Sequence, residues 1–440
     1  MLSIRNEDKR PQIVQLTQRN TTAEDISHRL STNTLSKSKR IHRWGNFIAG
    51  FSIEFVEQCL SDMTPDSKGG IILDPFAGCG TTLLGAKNLG LKAVGYELHP
   101  VFHAIASSKL HHYKPNSAVR AAEILRTKRE PAFWSLDAEK FLAKLFTERN
   151  LESVRLAAGM LNHAPPELRD LSVTMFLKAC ELACGSQTDG IYKAPTTQKN
   201  HIPFEDALIR VEEEISEDIR SKWYRKHWCS TPASSIYRES ALNMKALLPN
   251  SVSCCITSPP YLNNFDYAEM TRMHLYLLGW CSSWRNISET VRNHLITNTT
   301  TALNGKKTKE YQVAARGKLP HSLFEDLDII VSNLARERET RAGKKEYDYL
   351  VYPYYCQVTE VLSSVYSFLH PGGKVHWVVA DSALYGVHIE THEHTAEIMR
   401  QLGYRNVVVH FLRKRGHRWV LSKRDGAKKG LGEYHIEGEK

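Results

Sequence analysis

Long hydrophobic runs are missing from this sequence, and so are internal repeats and low-complexity tracts. No apolar stretch approaches the roughly 18–20 residues that a membrane-spanning helix needs, which argues against an integral membrane protein. The first ten residues are polar and charged, so we expect no secretory signal. With 42% hydrophobic and 24% charged residues, the composition predicts a globular protein. Since no spanning segment and no secretory signal are expected, we expect a cytoplasmic or nuclear location.

Cysteine is present, but not in a pattern that builds a framework. The count of nine is odd, and no C-x-x-C pair occurs. Both features argue against a disulfide scaffold. Cys180 and Cys184 lie at helical spacing in an apolar stretch, so we expect buried thiols there rather than zinc ligands.

Acidic residues are the scarcer charged type. There are 48 Asp and Glu against 58 Lys and Arg, a formal net charge of +10. A basic surplus favours polyanionic partners such as nucleic acid or an anionic membrane surface. The basic residues are dense at 37–43, 285–318 and 413–429.

The segment from residue 69 to residue 97 predicts a β-α-β unit. A short apolar strand at 71–73 enters the loop D-P-F-A-G-C-G-T-T at 74–82, followed by a helix at 83–89, a strand at 93–96 and Glu97. Glycines let a backbone approach a cofactor closely, and N–H groups at a helix start face it. Gly78-x-Gly80 lacks the third glycine of a dinucleotide loop, and the acid follows 17 positions later. The unit therefore suits a cofactor with a ribose but no phosphate, such as S-adenosylmethionine.

A second motif, Thr257-Ser258-Pro259-Pro260-Tyr261, follows an apolar strand predicted at 252–257. An exocyclic amine on an aromatic ring is a poor nucleophile, because its lone pair is delocalised. A hydroxyl and a proline carbonyl are two acceptors that can hold the amine protons and turn the lone pair towards a methyl donor. The prolines make the loop rigid, and the tyrosine offers a face on which an extruded base can stack.

The two motifs together resemble those of the amino-methylating DNA methyltransferases, and S-P-P-Y looks most like the cytosine-N4 branch. The likeness covers about residues 41–113, 235–280 and 350–415. It implies an α/β fold of the Rossmann-like class I methyltransferase type, with a mostly parallel twisted sheet. It also implies S-adenosylmethionine as the cofactor, double-stranded DNA as the substrate and a base flipped into the Ser258 loop.

The resemblance also implies site residues. A helix at 42–60 resembles the family's N-terminal motif over the cofactor, and the strand that ends Ala380-Asp381-Ser382 resembles a later sheet strand. The cofactor residues carried over are Asp74, Phe76, Ala77, Gly78, Gly80, Thr81, Glu97 and Ser240. The catalytic residues carried over are Ser258, Pro259, Pro260 and Tyr261. His388, His392 and His394 lie close together in the sequence, but amine methylation needs no metal and we expect none.

The predicted organisation is one catalytic domain split by two insertions. The segments are a flexible arm (1–40), a cofactor half (41–114), a helical insertion (115–232), an S-P-P-Y half (233–280), a polar insertion (281–346) and the last strands with a basic tail (347–440). The polar insertion is the candidate for target recognition, since side chains that read bases are dense in it. Candidate DNA contacts are Arg43, Lys306, Lys307, Arg316, Arg413, Lys414 and Arg415.

Three alternatives remain open from the sequence. Adenine-N6 methylation in DNA and methylation of an RNA amine use the same chemistry. A nucleic-acid-binding module without turnover is a different class, against which the intact Ser258–Tyr261 motif argues. A cognate restriction or defence component as partner, and a place in a bacterial or archaeal nucleoid, are expectations at the level of the family.

Overall fold

The computed structural model describes residues 39–45, 50–61, 63, 69–127, 129–186, 200–263, 266–299, 308–340, 345–415 and 431–440. Residues 1–38 of the predicted arm (1–40) and residues 416–430 of the basic stretch after Arg415 lie outside the described residues. Lys306 and Lys307, two of the candidate DNA contacts, lie outside them as well.

A seven-stranded sheet organises the fold, in the order β3-β2-β1-β4-β5-β9-β8. Neighbouring strands from β3 to β5 are parallel, and β9 is antiparallel to both β5 and β8. The strands β1, β2 and β4 are short and almost wholly buried, as expected of parallel strands covered on both faces. This confirms the predicted α/β Rossmann-like fold. The strands are β1 Ile71–Asp74, β2 Ala93–Tyr96, β3 Ser235–Tyr237, β4 Val252–Thr257, β5 Leu369–Ala380, β6 Ser382–Leu384, β7 Val387–Ile389, β8 Arg405–Lys414 and β9 Gly432–Glu439.

Helices cover both faces of the sheet and fill the two insertions. The α-helices are α1 Ile53–Ser61, α2 Thr81–Asn88, α3 Pro100–Leu110, α4 Ser117–Arg126, α5 Leu136–Leu142, α6 Glu148–Met160, α7 Pro166–Ala183, α8 Phe204–Arg220, α9 Tyr267–Met270, α10 Arg272–Leu277, α11 Trp284–Thr290, α12 Thr308–Lys318, α13 His321–Thr340, α14 Val351–Phe368 and α15 Thr391–Gln401. Two large apolar cores result, one on each face. Among the described helices, none is both long and apolar enough to cross a membrane.

The end of the chain differs from the sequence expectation of a basic tail. Residues 432–439 form β9, which inserts between β5 and β8. This strand is hard to predict from the sequence because several of its side chains are charged. In the fold they have partners, for example Lys374, which pairs with Glu437 at 3.2 Å. The strand contributes Glu433 to the site described below.

Two further expectations about regular structure need correction. The helix predicted over 42–60 begins only at Ile53, after a separate 3-10 turn at His42–Trp44 and an extended bend at Gly50, where φ is 127°. A left-handed glycine cannot continue a right-handed helix. The polar insertion, for which the sequence suggested a basic loop, contains the helices α11, α12 and α13 in its described part. Cys180 and Cys184 are buried free thiols, as expected.

Candidate active site

The two sequence motifs meet at one edge of the sheet. Strands β1 and β4 are parallel neighbours, with Leu73 opposite Cys255, so the loops that leave their carboxyl ends lie side by side. The Thr257 hydroxyl donates to Asp74 Oδ1 over 2.6 Å, and the Thr82 hydroxyl donates to the Ile256 carbonyl over 3.1 Å. These bonds fix the position of the S-P-P-Y loop relative to the glycine loop.

A cleft of about 1040 Å³, part of it open to solvent, lies at this edge. Most of the residues predicted for the cofactor line it, as do two of the four predicted catalytic residues. The predicted residues on its wall are Asp74, Phe76, Ala77, Gly78, Thr81, Glu97, Ser240, Ser258 and Pro260. Gly80, Pro259 and Tyr261 are not among the lining residues.

The glycine loop needs its glycines for backbone reasons. Gly78 has φ 52° and Gly80 has φ 87°, both in the left-handed region that other L-residues rarely adopt. A Cβ on Gly80 would lie 3.2 Å from the Ala106 Cβ, so α2 and α3 approach closely only because the atom is absent. Gly80 caps α2, whose first N–H groups face the cleft.

Glu97 closes the loop from the end of β2. Its two carboxylate oxygens accept the N–H groups of Gly78 over 2.8 Å and His99 over 2.7 Å. Burial raises the pKa of Glu97 to about 7, a shift to which Asp74 adds and which the two backbone hydrogen bonds reduce. The carboxylate is therefore held rigidly in the cleft, where it can accept hydrogen bonds from vicinal hydroxyls.

Asp74 is a second buried carboxyl at the same sheet edge. It accepts the Thr257 hydroxyl and the Phe76 N–H, over 2.6 and 3.0 Å. Burial raises its pKa to about 6, against the lowering effect of these hydrogen bonds. Its contacts give it a role in holding the two motif loops together.

The far end of the cleft carries acceptors that sequence reasoning missed. Glu239 Oε2 and His99 Nδ1 are buried, and neither has a hydrogen-bond partner among the described residues. Both residues line the cleft, Glu239 beside the predicted Ser240. Burial lowers the pKa of His99 to about 3, so its imidazole is neutral. Buried polar atoms without partners are rare, and these two fit the polar groups of an adenosyl moiety.

Aromatic side chains complete the wall, and two of them, Phe51 and Phe102, were missed. Phe51 lies before α1, and Phe102 and Tyr267 pack edge to face with ring centroids 6.0 Å apart. Sequence periodicity presents such residues as ordinary core positions, because nothing local separates an aromatic that lines a cleft from one that fills a core. Residues 294–296, from the polar insertion, also reach the cleft.

Tyr261 is held from behind by the C-terminal strand. Its hydroxyl donates to Glu433 Oε1 over 3.0 Å and lies 3.2 Å from the Ser258 hydroxyl, which donates to it. Burial and the Glu433 carboxylate raise the pKa of Tyr261 well above its ordinary value. Arg413 donates to the other oxygen of Glu433 over 2.6 Å. Glu433 was missed, because the sequence gives no reason to bring β9 to this loop.

Arg415 lies on the face of the motif's tyrosine. Its guanidinium carbon is 5.5 Å from the centroid of the Tyr261 ring, and it donates to Asn263 Oδ1 over 3.2 Å. Burial lowers the pKa of Arg415. One candidate DNA contact thus places its guanidinium against the ring on which a base is predicted to stack.

The other described candidates for DNA contact have different surroundings. Arg43 binds two residues of α8, the buried Asp218 at 2.6 Å and the exposed Glu217 at 2.8 Å. Lys414 and Arg316 are exposed, the latter over the ring of Phe324. The role of these residues in DNA binding stays a prediction.

Comparison with known proteins identifies the family. A family model described as DNA methylase, of the N6 and N4 class, matches residues 3–108. The chain is similar to the Type II methyltransferase M.BsoBI of Geobacillus stearothermophilus, with 24% identity over 435 residues, 89% of this chain and 84% of that protein. It is also similar to the Type II methyltransferase M.AvaI of Nostoc sp. and to that of Anabaena variabilis, each with 25% identity over 58% of both chains.

The sheet is of the Rossmann-like α/β class that methyltransferases have. The comparisons support an amino-group DNA methyltransferase that uses S-adenosylmethionine as its methyl donor, similar to Type II methyltransferases.

Proposed function

We propose that this protein transfers a methyl group to the exocyclic N4 amine of a specific cytosine in DNA. The observation that carries the proposal is Ser258 on the wall of the cofactor cleft, at the end of β4. The residue that precedes the two prolines is thus a neutral hydroxyl, as is typical of the cytosine-N4 branch.

The cofactor supplies an electrophilic methyl group when it is bound. Glu97 would accept the ribose hydroxyls, and Glu239, Ser240 and the neutral His99 would surround the adenine end. The glycine loop would give the methionine end room against the backbone. These assignments follow from the lining residues and from the buried acceptors without partners.

Ser258 and its prolines orient the target amine. The serine hydroxyl donates to the Tyr261 hydroxyl over 3.2 Å, which leaves the lone pairs of its oxygen available to accept an amine proton. A proline carbonyl accepts the second amine proton, and the nitrogen lone pair then faces the methyl donor. Buried Pro259 keeps the loop rigid, which lowers the entropy cost of alignment.

Tyr261 stacks the flipped cytosine, and Glu433 fixes its ring. An aromatic ring anchored through its hydroxyl keeps one orientation, so less rotamer freedom is lost when the base arrives. Arg415 must leave the ring face when the base stacks there, and its charge then becomes available to a DNA phosphate. The same side chain therefore acts in the free and in the bound enzyme.

The polar insertion reads the target sequence. Residues 294–296 line the cleft, and Arg285, Lys318 and Arg316 are exposed on the helices around them. Arginine and lysine side chains on a rigid scaffold can bind base edges in the major groove. The names of the relatives, Type II methyltransferases, support a role in marking DNA beside a cognate restriction enzyme.

One experiment tests the reaction. The protein is incubated with labelled S-adenosylmethionine and DNA of mixed sequence, and the DNA is digested to nucleosides for identification. We expect N4-methylcytosine. Label found only in N6-methyladenine refutes the N4 assignment, and label that appears only in an RNA substrate refutes the DNA assignment. If neither DNA nor RNA becomes labelled, the result supports a binding module instead.

Matched variants connect the product to the loop. Pro259→Ala should lose most turnover while cofactor binding is largely kept, because it softens the loop without entering the cleft. Ser251→Ala, just before β4, removes a hydroxyl that bonds only locally to the Leu248 carbonyl, and it should keep full activity. Full activity in Pro259→Ala would contradict the mechanism.

A further inference from the structure

Three potential metal ligands converge on the sheet face that α1 covers. Cys59 projects from α1, His376 from β5 and His435 from β9. Each offers one ligand atom, and these atoms all lie within 4.8 Å of one another. The cluster is distinct from His388 and His392, which bind Asp381 at 3.2 and 2.6 Å.

The strand register explains how the histidines meet. In the antiparallel pair β5–β9, His376 lies opposite Glu437 and His435 lies opposite Val378. Directly paired residues share a face, so the two imidazoles are diagonal neighbours on one face. Their rings stack with centroids 5.1 Å apart, and His376 Nδ1 lies 3.0 Å from His435 Nε2.

These distances are close to those of a zinc centre. Tetrahedral zinc with Zn–N bonds of about 2.05 Å separates two nitrogens by about 3.3 Å. Replacing the shared proton by an ion therefore moves the imidazoles apart by only about 0.3 Å. A Zn–S bond of about 2.3 Å places sulfur about 3.5 Å from each nitrogen, so Cys59 must approach by about 1.3 Å at most.

The surroundings favour a bound ion over a simple histidine pair. Cys59 and His376 are buried, with exposed fractions of 8% and 4%. The hydrogen bond to His435 uses Nδ1 of His376, which is the nitrogen that would bind the ion. One thiolate and neutral imidazoles are the donor set that zinc prefers.

We propose that Cys59, His376 and His435 bind a zinc ion, with a water molecule as the fourth ligand. The thiol loses its proton to solvent as the Zn–S bond forms, so binding is accompanied by release of one proton. The ion joins α1 to the two neighbouring strands β5 and β9. Because α1 follows Phe51, which lines the cofactor cleft, the ion also fixes that part of the cleft wall.

Metal content and cobalt substitution test the proposal on the full chain without an affinity tag. We expect about one zinc per chain after gel filtration, by elemental analysis. Cys59→Ser and His435→Gln should lose it, whereas Cys180→Ser, which removes another buried thiol, should keep it. After chelation, Co²⁺ should give a thiolate-to-cobalt charge-transfer band in the wild type that Cys59→Ser lacks.

Two outcomes overturn the proposal. A folded wild-type protein that contains no zinc and shows no cobalt charge-transfer band has no such site. Zinc retained in full by Cys59→Ser binds elsewhere. The cobalt band is measured on the wild type, so the test stands even where a variant fails to fold.

Discussion

The pKa of Glu97 predicts that cofactor binding strengthens as the pH rises through 7. Burial raises this pKa to about 7 in the free protein. Ribose hydroxyls donate to the ionised carboxylate and lower its pKa in the complex, so only the ionised form binds well. The fraction of protein in the competent form then limits the apparent affinity.

The magnitude follows from one titration. With a pKa of about 7, the apparent dissociation constant is multiplied by 1 + 10^(pKa − pH), which is about 11 at pH 6 and about 1.1 at pH 8. Affinity should therefore rise about tenfold between these values, equivalent to about 1.4 kcal/mol. Affinity increases with pH because the protonated form of Glu97, which binds weakly, dominates below pH 7.

Calorimetric titration with S-adenosylhomocysteine from pH 6 to pH 8 measures the effect. Repeating it in two buffers of different ionisation enthalpy counts the protons released at pH 6. Glu97→Gln is the control, because its amide cannot titrate and any remaining slope belongs to the ligand or to Asp74. An equal slope in Glu97→Gln, or no slope in the wild type, would refute this account of Glu97.

Three further predictions concern single contacts. Arg43→Ala should lower the free energy of unfolding by about 3 kcal/mol in urea titrations, because the buried Asp218 loses its main charged partner. The affinity for DNA should stay unchanged. Reduced DNA affinity with unchanged stability would restore the phosphate-contact hypothesis. Gly80→Ala should lower the free energy of unfolding by about 1–2 kcal/mol and weaken cofactor binding, because residue 80 has a positive φ and a Cβ there lies 3.2 Å from Ala106. Normal cofactor binding in this variant would show that the loop tolerates a Cβ. Glu433→Gln should lower kcat more than it raises KM and reduce the fluorescence change of 2-aminopurine at the target position, and a change in melting temperature alone would indicate a merely structural carboxylate.

The parts of the candidate site that could be predicted are those encoded by residues close together in the sequence. The loop at 74–82 and the S-P-P-Y segment are contiguous, and each follows an apolar strand that the sequence displays plainly. Glu97 was found because a β-α-β unit fixes the distance between a glycine loop and the acid at the end of the next strand. Most of these residues line the cleft at the expected edge of the sheet.

The sequence by itself determined the class of fold and predicted the glycine loop and the S-P-P-Y loop as parts of the site, since strand periodicity, glycine spacing and proline rigidity act within a few residues. Tertiary structure decided what depends on long-range pairing. It placed β9 between β5 and β8, which brought Glu433 to Tyr261 and His435 to His376. It also paired Arg43 with the buried Asp218. The sequence shows that a side chain is charged, but only the packing of distant segments decides which residue it pairs with.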